Sequence, residues 1–240
     1  MKLLYDLHTH TVSSGHAYST LKENMEAACE RGLLAYGFSD HAEGVEGAPK
    51  NIYFKNFKVI PREYKGMRVF AGVEANIMDY RGNLDIDEEV CKKVDYVIAS
   101  LHTICIKPGS REENTAAYLG AMENPYVKII GHPDDARYPI DYELLVSRAK
   151  EKEVILELNN SSLHPLSARK GGRENILKLL AACKKHEAMV ICNTDSHYCD
   201  DIGKFEATLE ILKETDFPEE LVLNTKMENL SKVLNIKLSL

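Results

Sequence analysis

The sequence has no tryptophan, no CxxC pair among its six cysteines, and no apolar run long enough to cross a membrane. A membrane-spanning helix needs about 18 or more consecutive apolar residues, so we expect no membrane partner. Scattered cysteines exclude a dense disulfide framework and indicate reduced thiols that fill the core of a cytoplasmic protein. The opening MKLLYDLHTH has a short apolar run that Asp6 and His8 interrupt, so it does not predict a secretory signal.

Positive charge is also scarce, with 30 lysines and arginines against 37 aspartates and glutamates and a formal net charge of −7. Such a chain has no general attraction for nucleic acid, and it lacks the basic runs interleaved with aromatic residues that bind single strands. No proline-rich linker, low-complexity segment or shift in composition marks a domain boundary in the 240 residues. We therefore expect one domain over residues 1–240 and no nucleic-acid partner.

What the sequence does contain is a regular alternation of short apolar runs with amphipathic stretches. The apolar runs, several of them rich in β-branched residues, predict seven strands, at residues 2–7, 35–39, 68–73, 95–101, 127–131, 154–158 and 189–193. The first helical pattern begins at a capping box formed by Thr20 and Glu23 and ends at Gly32. Further helical patterns lie at residues 87–93, 112–122, 143–152, 173–186, 203–214 and 225–234, and residues 42–61 form a long loop.

This alternation predicts an α/β fold with parallel strands. The length suits a β/α barrel, and an open doubly wound sheet is the alternative. In both architectures the carboxyl ends of the strands meet on one side, and active sites are built from the loops there.

Histidine is concentrated at these carboxyl ends. The polar residues that follow the predicted strands are, in chain order, His8, His10, His41, Glu74, His102, His132, Asp195 and His197. His16 lies in a loop with Ser13, Ser14 and Gly15 that can fold back over the same end of the strands. His164, in a loop, and His186, at a helix end, are expected to lie elsewhere.

The residue types and their spacing indicate a metal site. Residues two apart on an extended backbone point to the same side, so His8 and His10 can present two ligands to one cavity, as can Asp195 and His197. Imidazole and carboxylate without thiolate suit zinc, manganese or iron in an enzyme, whereas structural zinc usually draws on cysteine. One HxH pair is weak evidence, but nine ligand-type residues at the ends of six strands predict a metal cluster.

In this pattern the chain resembles the PHP (polymerase and histidinol phosphatase) superfamily of metal-dependent phosphoesterases, and more narrowly the YcdX-type probable phosphatases. The resemblance runs from about Tyr5 to Leu223 and is carried by DLHTHTVSSGHAYSTL, GVEANI, IIGHP, LELNNSS, SARKG and DSHY. It implies a distorted seven-stranded (β/α)7 barrel that holds three divalent metal ions, usually zinc. Manganese or iron would suit the same ligands.

The resemblance also implies which residues hold each ion. The first would be bound by His8, His10, Glu74 and Asp195, the second by His16, His41 and His197, and the third by His102 and His132, with Glu74 bridging. Glu74 and Asp195 would serve as catalytic residues as well as ligands.

A few further residues are candidates for substrate contact. Asn76 follows Glu74 by two positions and faces the same way, and Asn160 follows the sixth predicted strand. Arg169 and Lys170 precede a helix, where backbone N–H groups and basic side chains favour an anion. Asp40 stands beside His41, where it either orients that imidazole or is an ordinary loop residue.

The function implied by this resemblance is hydrolysis of a small-molecule phosphomonoester by a metal-bound hydroxide, which makes the protein a phosphoric monoester hydrolase. The alternatives are a histidinol-phosphate phosphatase, a nuclease or nucleotide phosphatase of the same fold, and a metal-binding protein without catalysis. The last alternative predicts a missing ligand, and none is missing. The sequence does not define the substrate or the native metal, and it leaves a homo-oligomer open.

Overall fold

A computed structural model describes residues 1–165, 167–169 and 171–235 of the chain. It has eight strands: β1 (Tyr5–Asp6), β2 (Ala35–Phe38), β3 (Glu63–Tyr64), β4 (Met67–Asn76), β5 (Tyr96–Ser100), β6 (Val127–Ile130), β7 (Ile155–Asn159) and β8 (Val190–Asn193). Seven of them are parallel, in the order β1-β2-β4-β5-β6-β7-β8, and β3 pairs antiparallel with the start of β4. The seven predicted strands are confirmed, whereas β3 was not predicted. The single domain over residues 1–240 stays a prediction.

Helices lie between the strands: α1 (Leu21–Glu30), α2 (Asn51–Lys55), α3 (Glu88–Cys91), α4 (Arg111–Ala121), α5 (Tyr142–Lys152), α6 (Gly172–His186) and α7 (Glu206–Glu214). The capping box at Thr20 and Glu23 is confirmed, and Gly32 has a φ of 74° just after α1. Within the described ranges, no helix is long and apolar enough to cross a membrane.

Two predictions about local structure were wrong. The expected helix at residues 225–234 is instead a pair of 3-10 segments, Leu223–Thr225 and Met227–Lys232, because Leu223 and Leu230 turn into the end of the barrel. The expected loop at residues 42–61 contains α2 and a 3-10 turn. Phe57 in that turn packs edge-on against Phe38 of β2, with the ring centroids 5.0 Å apart, and this buried contact gives the segment its structure.

The barrel closes where the first and last strands meet, and it closes at its carboxyl end through backbone bonds. The N–H of Asp195 donates to the carbonyl oxygen of His8 over 2.7 Å, and the N–H of His10 donates to the carbonyl oxygen of Ser196 over 2.8 Å. Thr9 and Ser196 form a parallel bridge. The seven parallel strands therefore make a nearly closed barrel, as expected, and the open sheet is excluded.

Lower in the barrel, an asparagine side chain joins the same two strands. Asn224 donates through Nδ2 to the carbonyl oxygens of Tyr5 (3.0 Å) and Cys192 (2.7 Å). Its Oδ1 accepts the N–H of Cys192 over 3.3 Å. Because β1 and β8 have no continuous ladder between them, this buried amide supplies the hydrogen bonds that a paired strand would have supplied.

Apolar side chains fill the barrel interior. Tyr96 lies across the middle, where its hydroxyl donates to the carbonyl oxygen of Leu7 over 2.6 Å. The ring needs glycines on the neighbouring strands, since a Cβ at Gly37 or at Gly72 would lie 2.4 Å from Tyr96 atoms. Leu223 and Leu230 close the amino end from below. The filled interior leaves the carboxyl end as the side on which a site can form.

The cysteines behave as the sequence indicated. All six are free, and Cys91, Cys183 and Cys192 are buried. Burial raises the pKa of the Cys183 and Cys192 thiols to about 12, so both are inert at neutral pH.

Removal of the Asn224 amide should destabilise the barrel at its seam. We expect Asn224→Ala to lower the free energy of unfolding by about 2–3 kcal/mol, because it leaves buried backbone groups of both strands without partners. Urea unfolding followed by circular dichroism measures this. Asn229→Ala, which removes only one bond to the Leu223 carbonyl oxygen, is the matched control and should cost about 1 kcal/mol or less. Equal losses would contradict the role given to Asn224.

Candidate metal centre

The nine residues predicted as metal ligands come together at the carboxyl end of the barrel, with Glu74 at the centre. Glu74 Oε1 lies 3.3 Å from His8 Nε2, 3.3 Å from His102 Nε2 and 3.0 Å from His132 Nε2. Glu74 Oε2 lies 2.7 Å from His41 Nδ1 and 3.5 Å from His10 Nε2. One fully buried carboxylate at the end of β4 therefore faces five imidazoles from four other strand ends.

The remaining predicted ligands lie on the side where the barrel closes. Asp195 Oδ1 is 3.1 Å from His10 Nε2 and 3.5 Å from His8 Nε2. His197 Nδ1 lies 3.7 Å from the same oxygen, and its Nε2 faces His16 Nε2 over 2.9 Å. The loop that carries His16 thus folds back over the strand ends, as its glycine and serines suggested.

The backbone is strained at two of these positions. His132 and Asp195 have φ values of 30° and 52°, in the left-handed region that non-glycine residues seldom adopt. Each such residue costs on the order of 1–3 kcal/mol and persists only where the surroundings hold it. Each lies two residues beyond the end of its strand, and there the side chain of His132 reaches Glu74 while that of Asp195 reaches His10.

A glutamate that the sequence analysis missed sets the protonation of His8. Glu157, fully buried on β7, accepts the Nδ1–H of His8 over 2.7 Å and the backbone N–H of His132 over 2.8 Å. Because this bond holds a proton on Nδ1, Nε2 is the nitrogen of His8 that faces the centre and can bind a cation in place of its second proton. The available signal was a charged residue in the middle of the apolar run VILEL, since a carboxylate is not buried in a strand without partners.

Asp40 acts on His10 through Ser14. The hydroxyl of Ser14 donates its one proton to Asp40 Oδ1 over 2.7 Å. Ser14 Oγ has no second proton, so it must accept the Nδ1–H of His10 over 2.9 Å. The backbone N–H of His41 also donates to Ser14 Oγ, over 3.2 Å. Asp40 therefore orients the ring of His10, whereas the sequence suggested its neighbour His41.

His16 and His197 face each other in an arrangement that calls for a cation. Each Nδ1 lies near a backbone carbonyl oxygen, that of Ser14 at 3.1 Å and that of Asp195 at 3.0 Å, so each carries its proton there. Burial lowers the pKa of both rings, and their mutual repulsion lowers that of His16 further, which keeps both neutral. Two nitrogen lone pairs then oppose each other over 2.9 Å, which is repulsive without a positive charge.

Further atoms around the centre have no hydrogen-bond partner among the described residues. They are His8 Nε2, His10 Nε2, His41 Nδ1, Glu74 Oε2 and His132 Nδ1. His41 Nδ1 and Glu74 Oε2 lie 2.7 Å apart, but their geometry is not that of a hydrogen bond. Buried polar atoms are seldom left in this state, and binding of an ion is one of the ordinary explanations. Three groups of donor atoms each lie within 4.8 Å of one another: His10, His41 and His197; His8, His10 and Glu74; and His41, Glu74 and His102. The residues fit bound divalent cations.

These three groups share His10, His41 and Glu74, so they do not by themselves assign a ligand to a particular ion. His16, His132 and Asp195 lie outside the groups but contact their members. The assignment of each residue to one of three ions stays a prediction.

Charge also favours cations here. Burial would raise the pKa of the Glu74 and Asp195 carboxyl groups, but the positive charge of His8, and that of Arg169 in the case of Asp195, holds both pKa values well below the usual range. Burial lowers the pKa of His8, but the carboxylates of Glu157, Glu74 and Asp195 outweigh this and raise it well above the usual value, so the ring carries this charge until a cation replaces its Nε2 proton. Both carboxylates are therefore negative at neutral pH and available as ligands.

The predicted substrate residues lie in different surroundings. Arg169 donates from Nη2 to Asp195 Oδ2 over 2.8 Å, at the edge of the centre. Asn76 accepts the Nδ1–H of His102 over 2.6 Å and so touches a candidate ligand. Asn160 Oδ1 accepts the backbone N–H of Thr208 over 3.1 Å, near the start of α7, and the residue lines the cavity beside the centre. Lys170 lies outside the described residues.

The expectation that His164 lies away from the site was wrong. A cavity of about 590 Å³ opens beside the centre, and His164 lines it together with Asp195 and His197. The 3-10 turn Ser161–Leu163 brings the chain back over the strand ends. His186 is at the end of α6, where its Nε2 lies 3.0 Å from Glu143 Oε2, and this matches the expectation.

A search against protein families matches residues 6–161 to the PHP domain. The chain belongs to this family. It is 47% identical over 237 residues to a probable phosphatase of Clostridium botulinum (strain Hall), covering 99% of this chain and 96% of that protein. A probable phosphatase of Acetivibrio thermocellus is 42% identical over 237 residues, covering 99% of this chain and 97% of that protein. Asp195 and His197 lie beyond the matched residues 6–161.

Two solved structures resemble the fold. One is histidinol phosphate phosphatase from Lactococcus lactis, crystallised with zinc, L-histidinol and phosphate, at a TM-score of 0.62 and 18% identity over 91% of this chain and 95% of that one. The other is a chain of archaeal ribonuclease P bound to mature tRNA, at a TM-score of 0.52 and 18% identity over 89% of this chain and 88% of that one. At this identity the likeness shows the fold alone.

The first prediction from this geometry concerns metal content. We expect about three transition-metal ions per chain, because nine converging ligand-type residues suffice for three sites with positions left open for water or substrate. Elemental analysis after purification without chelator measures the content. A value near zero in folded protein, with no recovery when zinc is added, would refute the metal centre.

The second prediction concerns Glu74, which faces more of the imidazoles than any other carboxylate in the described ranges. Glu74→Ala should lower the metal content and reduce kcat/KM by about a hundredfold or more, since loss of even an outer partner of a ligand costs about 10–100-fold. His186→Ala, a histidine paired with a carboxylate on the outer surface, is the control and should leave both unchanged. If Glu74→Ala retained its metal, the central position of this carboxylate would have no role in binding.

Proposed function

We propose that this protein is a metal-dependent phosphatase that hydrolyses phosphomonoesters of small molecules. The observation that carries the proposal is the convergence of imidazole and carboxylate groups on one centre. Several of its buried atoms have no hydrogen-bond partner, and the Nε2 atoms of His16 and His197 face each other at its exposed edge. The probable phosphatases of the same family support the same class of reaction, because one is 47% identical over nearly the whole chain.

Three ions are proposed, held as the family resemblance implies. His8, His10, Glu74 and Asp195 would hold the first, His16, His41 and His197 the second, and His102 and His132 the third, with Glu74 shared. Zinc is the metal proposed, since the ligands are imidazoles and carboxylates, and manganese or iron is the alternative. When bound, such ions make water a stronger acid and stabilise negative charge on phosphate oxygens.

The charge of the centre suits a phosphomonoester. Two ligand carboxylates, Glu74 and Asp195, neutralise only part of the charge of three divalent ions. A monoester dianion therefore gains more from the centre than a diester with a single negative charge, and a neutral substrate gains least.

Arg169 is proposed to bind a phosphate oxygen. Its guanidinium is held by Asp195 through Nη2 and by Asn159 through Nη1, over 2.8 and 3.3 Å, and the side chain is 14% exposed. Burial lowers its pKa, but the charges of Asp195 and Asp134 outweigh this and raise it, so the group stays positive. A guanidinium fixed in this way still has N–H groups to offer an anion. Lys170, the next residue, remains a further candidate.

The adjoining cavity is proposed to take the leaving group. Its volume, about 590 Å³, is that of a small-molecule site. Its walls include Tyr18, His164, Tyr198 and Lys204, which offer aromatic rings and hydrogen-bonding groups. The structural neighbour bound L-histidinol and phosphate, so L-histidinol phosphate belongs in the panel of compounds to be tested. The six free cysteines support a further proposal, that the protein works in the reducing cytoplasm.

The test compares three substrates at equal metal loading: an aryl phosphate monoester, its diester analogue and a short single-stranded oligonucleotide. We expect the monoester to be hydrolysed at least about tenfold faster, because one extra negative charge interacts with the ions. Faster turnover of the diester or of the oligonucleotide would replace the phosphatase by a nuclease. A panel of phosphorylated metabolites then identifies the substrate, and Glu74→Ala in every assay excludes a contaminating phosphatase.

A further inference from the structure

A partly buried carboxylate outside the predicted ligand set, Asp85, makes three hydrogen bonds beside the metal centre. Its Oδ1 accepts the backbone N–H of Asn76 over 2.8 Å. Its Oδ2 accepts the backbone N–H of Gly44 over 2.7 Å and the side-chain Nδ2–H of Asn76 over 2.6 Å. All three partners are donors, so the site requires a group that only accepts, which is an ionised carboxylate.

The position of Asp85 is fixed by close backbone contacts. The turn before it packs directly on α4: a Cβ at Gly82 would lie 2.1 Å from the nitrogen of Ala121, and one at Gly120 would lie 1.9 Å from the carbonyl oxygen of Arg81. On the other side, a Cβ at Gly44 would lie 2.7 Å from Asp85 Oδ2. The carboxylate therefore has little freedom to turn away from Asn76.

The bonds of Asp85 decide which way the amide of Asn76 faces. Nδ2 must point at Asp85 and also lies 3.3 Å from the carbonyl oxygen of Ala42, so Oδ1 must point at His102. Oδ1 lies 2.6 Å from His102 Nδ1 and can only accept. His102 therefore carries its proton on Nδ1, and its Nε2 lone pair faces Glu74 over 3.3 Å. If the Asn76 amide were flipped, its N–H would donate to His102 Nδ1. The proton of His102 would then lie on Nε2, where it would prevent a cation from binding.

We infer that Asp85 is a positioning residue, which orients the Asn76 amide and thereby holds His102 in the tautomer that can bind a metal ion. The inference rests on the proposed metal centre but not on the phosphatase reaction. Nothing in it depends on which substrate is hydrolysed.

The main test is Asp85→Asn, which keeps the shape and replaces one accepting oxygen by a donor. Two measurements apply: the tautomer of His102 in metal-free protein, from long-range ¹H–¹⁵N spectra, and zinc affinity, from competition with a chelator. We expect the population of the Nδ1–H tautomer to fall and one zinc ion to bind about 10–100-fold more weakly. The His102 signal is assigned by its loss in His102→Gln.

A merely structural role for Asp85 is tested by rescue. In the double variant Asp85→Asn, Asn76→Asp, the new carboxylate at position 76 accepts the Nδ1–H of His102 directly, and the new amide at position 85 can donate to it. The tautomer and part of the zinc affinity should return. A role in folding alone predicts no such recovery.

Two further variants complete the experiment. Gly44→Ala displaces the Asp85 carboxylate without removing it and should shift the tautomer in the same direction, which keeps the inference testable if Asp85→Asn does not fold. Asp87→Asn removes a carboxylate two residues further on, the N-cap of α3, and should leave the tautomer and zinc binding unchanged. An unchanged His102 tautomer in folded Asp85→Asn, or an equal shift in Asp87→Asn, would overturn the inference. Failure of the phosphatase assay would not affect it.

Discussion

The contact between the first and last strands of the barrel is the constraint on which the candidate site depends. The Asp195 N–H donates to the His8 carbonyl oxygen over 2.7 Å, across 187 positions of sequence. It joins the chain segment that carries His8 and His10 to the one that carries Asp195 and His197. Without this closure, the imidazoles would be divided between two edges of an open sheet. Because the backbone bonds at the seam are few, the buried amide of Asn224 supports them from below.

The second constraint is the placement of protons. An imidazole that faces the centre through Nε2 needs its other nitrogen to donate elsewhere, and the fold supplies acceptors of several kinds for these rings, although His132 Nδ1 has no partner among the described residues. Glu157 accepts directly from His8, and Ser14, tied to Asp40, accepts from His10. Backbone carbonyl oxygens accept from His16 and His197. Unpartnered lone pairs and strained backbone at His132 and Asp195 oppose folding, and bound cations would offset that cost by binding only the folded state.

The resemblance to known structures separates what the fold provides from what the loops provide. Chains that are 18% identical share the fold, and they come from a histidinol phosphate phosphatase and from archaeal ribonuclease P. A shared fold does not fix the substrate, because binding residues lie on loops that vary while the scaffold stays the same. In this chain the cavity wall comes from the segments around Tyr18, His164 and Tyr198, which are loops.

The sequence by itself determined the parallel α/β class and the set of ligand-type residues, because hydrophobic periodicity places the strands and parallel strands bring their carboxyl ends together. Periodicity left the barrel and the open sheet as alternatives. The barrel was implied by the family resemblance, and the bonds between the segments after β1 and β8 decided it. It did not determine the roles of Glu157 and Asp85, or the position of His164. A carboxylate within a strand, or in a turn, has no pattern in sequence that names its partner. Those roles depend on how the loops pack, for example where Gly44 approaches Asp85 and where Gly82 packs on α4. This packing decides which donors face each carboxylate oxygen. Hydrogen bonds between residues far apart in the chain exist only after the barrel has closed, so only the tertiary structure decided them.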